Sequence, residues 1–178
     1  MANFKSSLLL CTLLASSILP AGAKIETFTG KVVGVSDGDT ISVLVHGNIR
    51  KIRLNGVDCP EKTQAFGQQA KLFTSKKSFS KTVKIVSTGH DRYRRFLADV
   101  ILPDGSNLND LLLKHGYAWW YSKFSKDEHR HELEEIARKQ KRGLWHDSNA
   151  AAPWEYRHRA PQEASQSGKL VLDVQKPI

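Results

Sequence analysis

From Ile25 to Leu54 apolar and polar residues largely alternate, the period of half-buried strands. The run Ile25 to Val35 is rich in Thr, Phe and Val and broken by Gly30 and Gly34, which predicts a bent strand with a bulge or corner. Ser36-Asp37-Gly38-Asp39 is a turn signal. Thr40 to Val45 follows with Ile41, Val43 and Val45 on one face, and His46-Gly47-Asn48 closes a hairpin into Ile49 to Leu54. Between Thr63 and Ser80 the period becomes helical: Phe66, Ala70 and Phe73 share a face, and Lys71, Lys76 and Lys77 fall mostly on the remaining surface. Strand character returns at Lys81 to Val86 and at Arg94 to Leu102. A short helix is predicted from Leu108 to Lys114, with Asn107 as N-cap, Asp110 near the N-terminal dipole and Gly116 as its stop. Ser125-Lys126-Asp127-Glu128 reads as a capping box for a last helix, with Leu133, Ile136, Ala137 and Gln140 as its stripe. That helix ends at Arg142-Gly143, and Leu144-Trp145 folds back onto the body.

Five short strands with three helices predict a β-rich α+β domain, a five-stranded barrel of the oligonucleotide-binding type (OB-fold) with helices packed on it. Ahead of it, Lys5, the apolar run Leu8 to Leu19 and Ala21-Gly22-Ala23 form the pattern of a cleavable signal peptide. The expected organisation is a signal peptide over 1–23, one domain over 24–147 and a largely irregular extension over 148–178, in a secreted or periplasmic protein. Pro153-Trp154-Glu155-Tyr156 offers an apolar pair to the domain, and little fixed structure is expected after Arg159. Of the two cysteines, Cys11 lies in the leader, so Cys59 has no partner for an intrachain disulfide and stability must come from packing.

Charge narrows the function. The chain carries 27 Lys and Arg against 18 Asp and Glu, a balance that favours a polyanionic partner. The chemistry gathers at Ile52 to Glu61. Arg53 leaves a strand on the face opposite Ile52 and Leu54, Asn55-Gly56 bends the chain, and Pro60 stiffens the interval between Asp58 and Glu61. A guanidinium and two carboxylates on a rigid bend are what phosphate chemistry uses, and a surface ion-pair cluster is the competing reading. Asp37-Gly38-Asp39-Thr40 groups oxygens suited to a hard cation, or is a plain turn. Asp91-Arg92-Tyr93-Arg94-Arg95 leads into a strand, where Arg95 points away from Phe96, Ala98 and Val100 as Arg53 does from its own strand. Two arginines on neighbouring strands suit one phosphate, while Arg92 and Arg94 read equally well as a solvated charge run.

In chain order, Asp37 to Thr40, then Arg53 to Glu61, then Asp91 to Arg95, with their spacing, resemble the staphylococcal nuclease (thermonuclease) family, and the resemblance runs from about Gly30 to Trp145. It implies a five-stranded OB-type barrel with three helices and calcium-dependent hydrolysis of DNA and RNA to products with 3′-phosphate ends. Asp39 and Asp58 would be carboxylate ligands of the Ca²⁺, with the backbone carbonyl of Cys59 as a further ligand and Asp37 setting the acidic pocket. Glu61 would activate the attacking water, Arg53 and Arg95 would hold the scissile phosphate, and Tyr93 would lie near it. Cys59 stands where the founding member has a threonine, a change that a backbone ligand survives. Trp119, Trp120 and Tyr121 are placed either to stack on nucleotide bases or to pack in the core.

The expected partners are therefore DNA and RNA, preferentially single-stranded, bound by a monomer. A non-catalytic nucleic-acid-binding barrel is the alternative, and it would have no need of Glu61. A cationic envelope-binding protein would need an amphipathic basic helix that the sequence lacks. The seven histidines offer no zinc geometry and read as solvated.

Overall fold

A computed structural model describes residues 25–158. The signal peptide expected over 1–23 and the tail after Arg159 lie outside these residues. The elements run β1 Glu26–Val35, β2 Thr40–Val45, β3 Asn48–Leu54, β4 Val57–Asp58, α1 Gly67–Ser78, β5 Thr82–His90, β6 Phe96–Ile101, α2 Leu108–Lys114, β7 Trp119–Trp120 and α3 Glu128–Lys139. A 3-10 turn at Gly143–His146 and a helical segment at residues 153–158 complete them. No helix among the described residues is long and apolar enough to cross a membrane.

The predicted barrel is present. It closes in the order β1-β2-β3-β6-β5, with β3 and β6 parallel and the other pairs antiparallel. The register of β1 shifts between Val32 and Gly34, the bulge expected from the glycine. Inward residues Val32, Ile41, Val43, Ile52, Ile85, Ala98 and Val100 are fully buried, and Leu108, Leu112 and Leu113 of α2 seal one end. Strand alternation dictates this core: one face of each strand is apolar because it meets the others inside.

Several boundaries differ from the expectation. The helix expected from Thr63 begins at Gly67, because Phe66 takes a left-handed φ of 64° and packs beside Trp119, Leu144 and Trp145. A side chain at Gly67 would sit 1.8 Å from the Glu61 carbonyl, so glycine alone lets α1 start against the Glu61 loop. Arg94 has φ 63°, which delays β6 to Phe96. Asn107 caps α2 as expected, but α3 is capped by Asp127, whose side chain accepts from the His129 N–H, rather than by Ser125.

The stripe of α3 is also corrected. Ala137 is buried, whereas Ile136 and Gln140 are exposed, and Arg130 and Glu134 lie inside. Polar residues fill this face because Arg130 finds Asp99 at 2.6 Å and Asp110 at 2.9 Å. Three histidines lean on aromatic rings: His131 stacks on Trp120, His90 tilts on Phe96 and His115 on Phe73. Of the stretch expected to begin an irregular extension, residues 153–158 are helical, Ala152 and Pro153 are buried, and the apolar pair meets the domain, Trp154 against Trp119 and Tyr121 and Tyr156 at Thr63.

Candidate active site

The site is built where two turns press together. Gly38 approaches the loop after β4 so closely that an added Cβ would lie 2.7 Å from Cys59 Cβ and Sγ and 2.8 Å from Ala70 Cβ. Glycine is required here for space, since its φ is not left-handed. Thr74 of α1 donates its hydroxyl proton to the Gly38 carbonyl, fixing the turn from below. The Asn55-Gly56 bend is pinned from the other side. The Asn109 amide donates to the carbonyls of Asn55 and Ala98, and an Arg130 Nη1 donates to Asn55 as well. With both turns fixed, Asp39 and Asp58 point at one guanidinium.

Arg53 sits between them. Its Nη1 lies 2.7 Å from Asp39 Oδ2 and its Nη2 2.7 Å from Asp58 Oδ1, and Nη1 also donates to the carbonyls of Leu54 and Val57. The Cys59 N–H donates to Asp39 Oδ2 at 2.7 Å, and the Asp39 N–H to Asp37 Oδ1 at 3.3 Å. Burial pushes the Asp39 carboxyl up to about 7; Arg53 and the Cys59 N–H oppose this while Asp37 and Asp58 add to it. Burial likewise holds the Cys59 thiol well above its ordinary value, so it stays protonated and is no nucleophile. Arg95 joins from the next strand's entrance: its Nη1 donates to Thr40 Oγ1 at 3.3 Å, and Thr40 Oγ1 donates to Asp39 Oδ1 at 3.3 Å. Asp91 holds Arg95 in place through Nε at 2.7 Å and the backbone N–H at 2.9 Å.

Glu61 enters this chain through a residue that the sequence did not single out. Arg157, in the segment at 153–158, places Nη2 2.8 Å from Asp58 Oδ2 and Nη1 2.7 Å from Glu61 Oε1. Asp39, Arg53, Asp58 and Arg95 are thus joined directly or through Thr40, and Glu61 is joined through Arg157. The lone clue in the sequence was the apolar Trp154 and Tyr156 beside Arg157, which bind the segment down.

The aromatic candidates are placed differently. Tyr93 is exposed at the rim, with Arg92 and Arg95 over its ring. Trp119 pairs with Asp58 through β7 and β4, but its indole lies edge-on to Trp145 and Trp154 under Arg138. Trp120 is covered by His131, and Tyr121 is stacked on Trp154 with centroids 5.3 Å apart.

No three His, Cys, Asp or Glu side chains among the described residues close into a preformed metal cage. The donor set nonetheless suits a hard cation. Two buried carboxylates offer oxygen only, and guanidiniums already stand between Asp39 and Asp58 and between Asp58 and Glu61.

The family model for staphylococcal nuclease homologues matches residues 51–147, which include Arg53, Asp58, Glu61 and Arg95. An uncharacterized endonuclease of Escherichia coli is 41% identical over 130 residues, covering 73% of this chain and 85% of the relative. An uncharacterized endonuclease of Haemophilus influenzae is 39% identical over 153 residues, covering 85% of both chains. A micrococcal nuclease of Shigella flexneri is 38% identical over 148 residues, covering 78% of this chain and 84% of the relative.

Proposed function

The chain belongs to the staphylococcal nuclease homologue family, and on that premise we propose that it is an exported, calcium-dependent nuclease that hydrolyses phosphodiester bonds in DNA and RNA. The observation that carries this reading is the unbroken line of contacts Arg95–Thr40–Asp39–Arg53–Asp58 along the barrel wall. Two guanidiniums and two desolvated carboxylates within a few ångströms suit a phosphate and a cation together. Chain relatives named endonuclease and micrococcal nuclease support the same reaction class.

Asp39 and Asp58, with the Cys59 carbonyl, would hold the Ca²⁺. Bound there, Ca²⁺ supplies stabilisation of the negative charge that grows on the phosphoryl oxygens. Arg53 and Arg95 hold the phosphate and share that charge, and their rigid mounting means that little reorganisation accompanies the reaction. The Nε–H of Arg53 has no partner among the described residues, so a further donor is available to a phosphate oxygen. Glu61 takes a proton from the attacking water as the water oxygen bonds to phosphorus; the bond to the 5′ oxygen breaks, that oxygen leaves as a hydroxyl with a proton from solvent, and phosphate stays on the 3′ end. Asp37 orients the Asp39 backbone, and Tyr93 lines the rim. Lys71, Lys76, Lys77 and Lys81 add attraction to the nucleic-acid backbone without base specificity. We take the enzyme to be a monomer that prefers single strands, because Watson–Crick pairing restrains the backbone it must grip.

Digestion of heat-denatured DNA and of RNA with Ca²⁺, with Mg²⁺ and with a chelator tests this. The expected result is cleavage with Ca²⁺, none with chelator, and products that lose a terminal phosphate to a 3′-phosphatase. Undiminished cleavage in chelator would end the metal-dependent reading. Amino-terminal sequencing of exported protein should find a chain beginning near Lys24.

A further inference from the structure

Arg157 has no part in that reaction, yet it grips two of its carboxylates. The segment that carries it is held down at several points. The Gln64 amide donates to the Ala151 carbonyl at 2.6 Å, Trp154 stacks on Tyr121 with planes 5° apart, and the Tyr156 hydroxyl donates to Thr63 Oγ1 at 3.0 Å. So anchored, the guanidinium spans from Asp58 Oδ2 to Glu61 Oε1. Asp58 Oδ1 is taken by Arg53, so both oxygens of a carboxylate that is 1% exposed are engaged.

We propose that residues 150–158 form an internal strap that docks Arg157 in place of the divalent cation, so that cation binding and strap docking exclude one another. This rests on the reading of Asp39 and Asp58 as the cation site. Two desolvated acids cannot stand side by side without positive charge, and Arg53 alone must serve both. Arg157 supplies the missing charge and also engages one oxygen of Glu61, whose side chain is 40% exposed. The Arg157 side chain remains 41% exposed: the Glu61 half of the contact faces solvent and is weak, and an incoming cation replaces the charge that Arg157 withdraws from Asp58. The strap thereby lowers the apparent cation affinity by the fraction of molecules in which it is docked.

Calorimetric titration of Ca²⁺ into the full chain tests the strap without any activity assay. Arg157→Ala should bind Ca²⁺ about tenfold more tightly than wild type, with Arg157→Lys between them. In wild type, saturating Ca²⁺ should speed hydrogen exchange at the Glu155 and Tyr156 amides, both bonded to the Ala152 carbonyl. Equal affinities in wild type and Arg157→Ala, with Asp58→Asn abolishing binding in both, would overturn the strap and leave the cation site standing. Exchange rates unmoved by saturating Ca²⁺ would overturn it as well, with no variant involved. Absence of Ca²⁺ binding in every protein would remove the cation site and the strap with it.

Discussion

Arg53 and Arg130 are both buried arginines that hold together several segments of chain, and their surroundings are opposite. Arg130 on α3 is 5% exposed at its side chain, while its partners Asp99, Asp110 and Asp127 all reach solvent. At Arg53 the acids are the deeper members, Asp58 almost wholly enclosed and Asp39 pushed up to about 7 by burial. A buried base with solvated acids is satisfied: it ties β6, α2 and α3 to the Asn55 carbonyl and asks for nothing more. Asp39 and Asp58 instead draw on Arg53 and on the half-exposed Arg157, and enclosed acids served in this way mark a place to bind a cation rather than a place to gain stability.

Replacing the two arginines should therefore give different kinds of damage. Arg53→Ala is expected to cause the largest, a loss of about 3–5 kcal/mol in urea unfolding together with loss of cleavage, because desolvated Asp39 keeps no cation. Adding Asp39→Asn should restore part of that stability and none of the cleavage, which separates the two roles. Next in size is Arg95→Ala, which should slow cleavage by about 10²–10³-fold. Its unfolding free energy should move by less than about 1 kcal/mol, since the Asp91 pair is local and partly exposed.

Arg130→Met should cost about 1–3 kcal/mol in stability and leave cleavage per folded molecule unchanged. If it abolished Ca²⁺ binding at a temperature where the protein is folded, the contrast between the clusters would collapse. The smallest effect is a pH dependence at Asp91. Burial works to raise its carboxyl, but the Arg95 N–H and guanidinium and the Tyr93 N–H outweigh this and hold it below the usual 3.8. A depressed carboxyl stabilises the fold above pH 3.8, and that contribution fades as pH falls through the folded value. Asp91→Asn should flatten that acid limb in a stability-against-pH series.

The barrel was legible because alternation of Ile41, Val43 and Val45 against polar neighbours has no other good solution than a half-buried strand. Asp39, Arg53, Asp58, Glu61 and Arg95 were legible as a set through the family resemblance, and the fold brings four of them into direct or Thr40-bridged contact. Other features carried no local signal. Arg130 and Glu134 read as surface residues on a helix because pattern alone assigns charge to the outside, and the acids that draw Arg130 inward lie up to 31 positions away. Asn109, buried with its amide on two carbonyls, looked like any residue in a helix's first turn. Arg157 meets Asp58 across 99 positions, a distance over which neither period nor capping chemistry reports. Trp119 and Trp120 were open between stacking on bases and packing, and in the fold their rings face Trp145, Trp154 and His131.

The rate of Ca²⁺-supported cleavage of single-stranded DNA by Glu61→Gln, set against wild type, tests the central claim most directly. The amide keeps the size of the side chain and cannot take a proton, so the rate should fall by about 10³-fold while DNA is still retained. Cleavage by Glu61→Gln at the wild-type rate would contradict the account.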